Sequence, residues 1–219
     1  MYSDKWFKVP EGLDLSIPML QRNGVYSELF HIVELLNNLD SCNYFFSCGT
    51  ALGVFRNGKL LDWDTDIDID ILDPTESLIN DIMNEMQLLG YSFIRKLMSN
   101  DKYSQIVFVK KPYHSIDFCF WYKGKNNYIN DVPETHIFKR EHPILIYKFF
   151  KYIKIENVEF KIPGDFNSYF KLLYGDDWQA PRKYNNWLIN ANDLTLDFKL
   201  SRVWYKFVWK IKRFKRRFK

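Results

Sequence analysis

The sequence predicts an α/β (α+β) protein with a small mixed sheet flanked by helices, and three observations support this class. Apolar residues recur at helical spacing in residues 22–41. Short apolar runs, at 43–47 and at 115–121, are typical of buried strands. Turn signals such as Asn57-Gly58 separate the two kinds of segment. With 219 residues, of which 47% are hydrophobic, the chain is long and apolar enough for a packed core.

The predicted helices and strands alternate along the chain. In the first half we expect a helix over 22–41, a strand over 43–47, a short helix from 49 to 55, an aspartate-rich strand over 62–71, and a helix from 74 to 89 that Gly90 would end. In the second half we expect strands at 91–97, 104–109 and 115–121, a hairpin of 151–155 with 158–162, and a helix over 166–174. This order is typical of a mixed sheet rather than of a helical bundle.

The charges are divided unevenly between the body of the chain and its end. Residues 198–219 contain ten Lys and Arg and no acid, which leaves 21 basic and 27 acidic residues in 1–197. We therefore predict a main domain over 1–197 with a net charge of −6, followed by a basic tail of +10. A general nucleic-acid binder carries its basic surface around the working site, so an acidic body argues against nucleic acid as the partner.

The cysteines and the first residues of the chain indicate the cellular compartment. Cys42, Cys48 and Cys119 are an odd number without a CxxC pair, which is typical of a reducing compartment. The first twenty residues have early charges and no apolar h-region of a signal peptide. No apolar run approaches the ~20 residues of a membrane-spanning helix. We expect a cytoplasmic protein.

Five aspartates at alternate positions, from Asp62 to Asp70, are the most informative feature. In a strand, residues two apart share a face, so these acids would line one face while Ile67, Ile69 and Ile71 occupy the other. Like charges on one face repel one another unless a cation neutralises them. Carboxylate oxygens select hard cations, so the pattern predicts a site for Mg²⁺ or Mn²⁺ and phosphoryl-type transfer.

Residues on either side of these acids complete the predicted site. Gly49 would let the backbone approach a phosphate closely, and Thr50 would offer a hydroxyl and an N–H at a helix N-terminus. Arg56 could pair bidentately with phosphate. Asp117, a single acid in an apolar strand, would act as metal ligand, as general base, or as both. The four histidines show no ligand spacing and receive no role.

Two acid pairs are possible within the aspartate-rich strand. Asp66 with Asp68 is the pair that we select, and together with Asp117 it gives the predicted metal-binding and catalytic set. Asp70 creates a second pair with Asp68. The spacing alone leaves open whether Asp70 replaces or supplements Asp66.

The motifs resemble those of the LicD/fukutin family of phosphotransferases, which have a nucleotidyltransferase fold. Family members carry a Gly-Thr-Leu-Leu-Gly-like segment, a basic residue, and then Trp-Asp-x-Asp-Ile-Asp. This chain has Gly49-Thr50-Ala51-Leu52-Gly53, Arg56, and Trp63-Asp64-Thr65-Asp66-Ile67-Asp68. A distal Tyr-Gly-x-x-Trp-x-x-Pro element also matches, from Tyr174 to Pro181. The resemblance covers residues 25–187.

The resemblance implies a chemistry that the residues alone do not identify. It implies a CDP-linked alcohol donor such as a phosphocholine or ribitol-phosphate donor, a saccharide acceptor on a surface polysaccharide or lipid-linked glycan, and Mg²⁺. The substrate contacts that it implies are Gly49, Thr50, Arg56, Asp64, Tyr174, Gly175 and Trp178. The distal element, from Tyr174 to Pro181, has a second reading as a packed lid over the core.

The basic tail predicts an amphipathic helix. Its apolar residues, among them Trp204, Phe207 and Phe214, fall on one arc of a helix over 198–219. Such a helix suits an anionic membrane surface, at the inner face of the membrane. The competing interpretation is a helix packed on the domain with a solvated basic face.

Two other functions share the same residues. A nucleotidyltransferase that moves a nucleoside monophosphate onto a small molecule, a protein or RNA would use the same three carboxylates. A non-catalytic binding module of the same fold would not need Asp66, Asp68 and Asp117 together, because the clustered charge is costly without a metal. The distal element favours the phosphotransferase.

Overall fold

The computed structural model describes residues 2–6, 18–19, 24–111, 114–132, 138–181 and 193. The predicted helix over 198–219 lies outside these residues. Among the helices that the structure describes, none is both long and apolar enough to cross a bilayer.

Within the described residues the chain forms four α-helices and ten strands. The helices are α1 (Val25–Asn38), α2 (Cys48–Asn57), α3 (Glu76–Leu88) and α4 (Phe166–Tyr174). The strands are β1 (Tyr2–Trp6), β2 (Tyr44–Phe46), β3 (Ile67–Leu72), β4 (Ser92–Ser99), β5 (Lys102–Lys110), β6 (His114–Lys123), β7 (Asn127–Val132), β8 (Phe138–Pro143), β9 (Phe150–Ile155) and β10 (Val158–Pro163). A 3₁₀ helix, Ile144–Tyr147, joins β8 to β9.

One sheet carries the site. Within the described residues it has eight strands, in the order β1-β4-β5-β6-β3-β2, with β7 pairing β6 and β8. Strands β3 and β6 pair in parallel, and the other neighbouring pairs are antiparallel. The sheet is therefore mixed, as the sequence predicts. Strands β9 and β10 form a separate hairpin.

The two faces of the sheet differ in polarity. Ile67, Ile69 and Ile71 on β3 are buried in the main hydrophobic core, together with apolar residues of β6 such as Phe118. Buried residues of α1 and α3 belong to the same core, including Leu36 of α1. The acids of β3 and β6 alternate with these apolar residues and so occupy the opposite face.

The aspartate-rich strand is shorter than predicted. It begins at Ile67, so Asp62, Asp64 and Asp66 precede it in a turn-containing segment. Asp62 is exposed and pairs with Lys59 at 2.6 Å. The prediction that all five acids line one strand face is wrong, because only Asp68 and Asp70 belong to β3.

Candidate active site

The turn between β2 and α2 forms one side of the site, and hydrogen bonds to the backbone of β3 hold it in place. Ser47 N–H donates to the Asp68 carbonyl at 3.1 Å, and the Thr50 hydroxyl accepts from the Asp68 N–H at 3.0 Å. Thr50 is buried. These two bonds fix the start of β3 against the N-terminus of α2. Thr50, which the sequence assigns to phosphate, thus contacts the protein's own backbone.

Gly49 lies where a carboxylate comes very close to the helix. A Cβ atom built on Gly49 would stand 2.3 Å from Asp64 Oδ2, so no larger residue fits without displacing that carboxylate. The helix supplies no acceptor for the first N–H groups of α2. A negative charge is favoured there. The sequence predicts that Gly49 makes room for a phosphate. In the structure, the group that lies close to Gly49 is the carboxylate of Asp64.

Three carboxylates converge beside this helix terminus. One oxygen each from Asp64, Asp66 and Asp68 lies within 4.8 Å of the other two, and all three residues are half-buried. The segment before β3 is held by Met19, whose N–H donates to the Asp64 carbonyl at 2.6 Å. Such an oxygen-rich cluster could hold a hard divalent cation.

The fourth acid comes from the neighbouring strand. Asp117 on β6 is directly opposite Asp68 in the parallel pairing, so both side chains occupy one face of the sheet. Gln105 Nε2 donates to Asp117 Oδ2 at 2.8 Å and fixes that carboxylate. The structure thus brings together Asp66, Asp68 and Asp117, the predicted catalytic set, and adds Asp64 to it.

The pKa values of Asp64, Asp68 and Asp117 are raised by burial and by the repulsion between neighbouring negative charges. Burial raises the pKa of Asp64 to about 8, and the charge of Asp66 adds to this. Burial also raises the pKa of Asp68 and of Asp117 well above the usual range, again with Asp66 as the leading charge. A bound cation would remove this penalty, so the chemistry of the donor set fits a divalent metal ion.

Residues 41–165 match a family profile described as LicD/FKTN/FKRP, nucleotidyltransferase domain. The match spans more than half of the chain and includes all four acids of the site. The chain belongs to the LicD/FKTN/FKRP family. The resemblance that the sequence motifs indicate is thereby confirmed.

Other comparisons add little to this assignment. A solved structure that matches is the lincosamide antibiotic adenylyltransferase LnuA with lincomycin bound, at 16% identity and a TM-score of 0.45. The match covers 70% of this chain and 92% of that chain. A search of curated proteins found no match.

The residues of the distal element in this LicD-family chain have different environments. Trp178 is buried, with its ring 5.0 Å from that of Phe170 and 6.0 Å from that of Phe55. Gly175 ends α4 with φ 91 and ψ −176, a conformation that essentially only glycine adopts. Tyr174 lies near the acids: burial raises its pKa, and the charges at Asp68 and Asp64 raise it further. The predicted substrate contact of Tyr174 stays a prediction.

Arg56 stands apart from the acids. It occupies the last turn of α2, about 9 Å along the helix axis from Thr50. Its Nε donates to Asn57 Oδ1 at 3.1 Å, and its buried Nη2 has no hydrogen-bond partner among the residues that the structure describes. The predicted phosphate contact of Arg56 therefore stays a prediction.

Asp70 has partners of its own beneath the site. Ser47 Oγ donates to one oxygen at 2.8 Å, and Trp121 Nε1 donates to the other at 2.7 Å. Asp70 is fully buried, which raises its pKa to about 6 against the opposing charge of Arg140. Because both oxygens are engaged, the geometry favours the Asp66–Asp68 pair that we select over the pair of Asp68 with Asp70.

A buried ion pair lies behind Asp70. Arg140 on β8 bonds to Asp193 at 2.5 Å, and its guanidinium lies 5.0 Å from the centre of the Trp121 ring. His142 Nε2 lies 2.8 Å from the same Asp193 oxygen, and the centre of its ring lies 4.1 Å from that of Trp121, with the two planes tilted by 35°. Arg140 Nη2 also reaches Cys48 Sγ at 3.8 Å, which connects this ion pair to the start of α2.

A second contact anchors the same end of α2. The Cys48 N–H donates to the Tyr169 hydroxyl of α4 at 3.1 Å. Cys48 has φ 44, an uncommon conformation for a residue other than glycine. The residues that hold the helix terminus in place thus come from α4 and β8, both distant in sequence.

Sequence reasoning missed Gln105, Arg140, His142 and Asp193. Gln105 left a signal, because it is a lone amide in the otherwise apolar run SQIVFV. Arg140 and His142 lie in a polar stretch that the sequence does not identify as a strand. Nothing local distinguishes Asp193, since its partners are more than 50 positions away.

Proposed function

We propose that this protein is a phosphotransferase that uses Mg²⁺ or Mn²⁺ to move a phosphorylated alcohol from a CDP-linked donor to a saccharide. The alcohol would be of the choline or ribitol type. One observation supports the proposal above others: Asp64, Asp66 and Asp68 converge within 4.8 Å, with Asp117 in register beside them. Membership of the LicD/FKTN/FKRP family supports the same class of reaction.

Asp66 and Asp68 would be the principal metal ligands, with Asp64 and Asp117 flanking them. A metal ion bound there would neutralise charge on the transferred phosphoryl group and on the leaving group. Asp64, which the sequence assigns to substrate, fits the ligand set because its carboxylate lies in the same cluster. We assign the donor phosphates to the space above this cluster, beside Tyr174.

Asp117 would receive the proton of the attacking hydroxyl. Asp117 lies directly opposite Asp68, and the hydrogen bond from Gln105 keeps its carboxylate oriented. The saccharide oxygen forms a bond to the phosphorus that bears the alcohol, and the bond from that phosphorus to the bridging oxygen breaks. CMP is the leaving group, and the products are CMP and the phosphodiester-linked saccharide.

The test is an assay of purified protein with CDP-choline or CDP-ribitol, Mg²⁺ and an oligosaccharide acceptor, followed by mass spectrometry. The expected result is CMP together with an acceptor that gains the alcohol phosphate. An acceptor that instead gains a nucleoside monophosphate from ATP, CTP, GTP or UTP would establish the nucleotidyltransferase alternative. Metal and nucleotide binding without turnover on either donor class would favour a binding module.

A further inference from the structure

A β-bulge in β4 turns Arg95 away from the core. The pairing with β5 shifts register at this point: Phe93 opposes Phe108, whereas Arg95 opposes Val107. Phe93 packs against Phe108 in the main core, with ring centres 5.5 Å apart. In an unbroken strand, residues 93 and 95 would share a face, and Arg95 would face the same core. Bulges re-aim side chains in this way, often beside active sites.

The face that Arg95 joins is the one that carries the acids. Val107 opposes Asp117, and Asp117 opposes Asp68, so one line across four strands runs from Arg95 to the metal cluster. Directly opposed residues share a face. With strands about 4.8 Å apart, the Cα atom of Arg95 is about 10 Å from that of Asp117. Only the short side chain of Val107 stands between them in this line.

The exposure of Arg95 is compatible with a ligand contact. Arg95 is half-buried, so it is neither sealed in the core nor fully solvated. A guanidinium so placed can reach an anion that is bound on the acid face.

We propose that Arg95 contacts the diphosphate of the nucleotide donor, an inference that rests on the proposed function and names a further donor-binding residue for it. A metal ion on the acids would neutralise part of the diphosphate charge, and negative charge would remain. The planar guanidinium fork matches two phosphate oxygens and stays charged at all working pH values. Arg95 lies on the side of Asp117 away from Asp68, where it can bind phosphate without occupying the metal cluster.

The other two arginines near the site fit this role less well. Arg140 is buried beside Asp193, so a ligand on the surface of the sheet does not reach it. Arg56 lies on the last turn of α2, about 9 Å along the helix axis from Thr50. Arg95 therefore has the position and the chemistry that the diphosphate requires.

The experiment compares Arg95→Gln with Lys96→Gln in the full-length protein. Lys96 is the next residue on β4, opposite Ile106 of the core, and so carries the same charge on the other face. Titration calorimetry in the presence of Mg²⁺ measures the binding of CDP and, separately, the binding of cytidine. The binding of Mg²⁺ alone is measured as well. ADP, GDP and UDP serve as additional nucleoside diphosphates. Arg95→Lys keeps the charge and removes the fork.

In Arg95→Gln the dissociation constant for CDP should rise about tenfold or more, as expected for loss of a charged hydrogen bond. Binding of cytidine and of Mg²⁺, as well as the melting temperature, should change little. Lys96→Gln should bind like the wild type, and Arg95→Lys should be intermediate.

Two results would overturn the inference. If Arg95→Gln and the wild type bind CDP equally well, or if the variant loses cytidine and CDP affinity to the same extent, Arg95 does not contact the diphosphate, and the proposed function stands. If the wild type binds no nucleoside diphosphate in Mg²⁺, the inference and the proposed nucleotide-linked donor fail together.

Discussion

At the scale of single residues, Asp68 is the centre of the acid cluster. It belongs to both possible acid pairs, and Asp117 lies directly opposite it. Asp68→Asn removes one charge at nearly constant volume, so we expect the fold to remain. The loss in kcat/KM should exceed the roughly 100-fold that follows loss of an outer-shell partner of a metal site. Asp66→Asn and Asp117→Asn should also lose nearly all turnover. Assays at saturating Mg²⁺, with circular dichroism to monitor folding, provide the measurement.

Asp70→Asn is the matched control for Asp68→Asn. Each carboxylate oxygen of Asp70 accepts one hydrogen bond, from Ser47 or from Trp121. The asparagine side chain has a single oxygen and an amide NH₂ in place of the other, so one of these two buried hydrogen bonds is lost. We expect lower thermal stability but retained Mg²⁺ binding. If Asp70→Asn abolishes Mg²⁺ binding and Asp66→Asn does not, the pair that we select is wrong.

Gly49→Ala should damage the site without a large change in the fold. The new methyl group would stand 2.3 Å from Asp64 Oδ2, so this carboxylate must move out of the cluster. We expect weaker Mg²⁺ binding, measured by calorimetry. Gly24→Ala is the control: its methyl group meets nothing within 4 Å, but φ is 75. It should therefore cost stability and leave Mg²⁺ binding unchanged, whereas equal Mg²⁺ affinity in both variants would contradict the role of Gly49.

At the scale of elements, the sequence predicts the regular segments well and their irregular parts poorly. All four helices and strands β2 to β6, β9 and β10 are confirmed, because apolar periodicity and turn signals define them. Strands β1, β7 and β8 were missed, since YSDKW, NYINDV and FKREHP are too polar to be identified as buried strands. Nothing in the sequence marks the bulge before Arg95, which depends on pairing with β5.

The site follows the same division. Gly49, Asp64, Asp66 and Asp68 lie within one short segment of the sequence, whose pattern predicts a site. The supporting residues on β5, β8 and beyond α4 contact this segment only through the sheet and the core, as Asp193 does through Arg140. Long-range pairing of this kind carries no local signal, so the sequence predicts the clustered acids and not the residues that hold them in place.

The ion pair between Arg140 and Asp193 predicts an acid-sensitive contribution to stability. Burial alone would raise the pKa of Asp193, but Arg140 and a hydrogen bond with His142 lower it to about 2. The unfolded value is about 3.9, so ionised Asp193 stabilises the fold above pH ~4. This contribution, roughly 2–3 kcal/mol, should be lost as the pH falls from about 4 to about 2.

Urea unfolding of the wild type and of Asp193→Asn over that pH range tests this. The variant should be less stable at pH 7, since removal of one partner leaves the buried Arg140 uncompensated, at a cost of about 3–5 kcal/mol. Its stability should also depend less on pH between 4 and 2. Asp62→Asn, at an exposed position, should follow the wild type. If the free energy of unfolding falls equally in Asp193→Asn and in the wild type between pH 4 and 2, the ion pair is not the cause of the acid sensitivity.

At the scale of the whole molecule, the division of charge predicts two separable functions. Residues 1–197 carry −6 and hold the acids, while residues 198–219 carry +10. Removal of 198–219 should weaken binding to anionic vesicles, by about 1 kcal/mol for each basic residue near the surface. Transfer to a soluble acceptor should be retained.

Co-sedimentation with phosphatidylserine vesicles, at low and high salt, measures that binding. Salt should weaken it in the full-length protein, because exposed charges are screened over about 10 Å at 0.1 M. Neutral vesicles are the control. A shortened protein that unfolds, or that loses transfer to a soluble acceptor, would show that the tail belongs to the domain core.

The hydrogen bond from Met19 to Asp64 has a consequence for the smallest unit that can work. The family match spans 41–165, yet the buried Met19 holds the acid segment from before it, and Tyr174 and Asp193 support the site from after it. A fragment limited to 41–165 would keep Asp64, Asp66, Asp68 and Asp117 and would lose Met19, Tyr174 and Asp193. The matched range is therefore shorter than the unit that positions these acids, and removal of residues on either side should first loosen the arrangement of the four carboxylates.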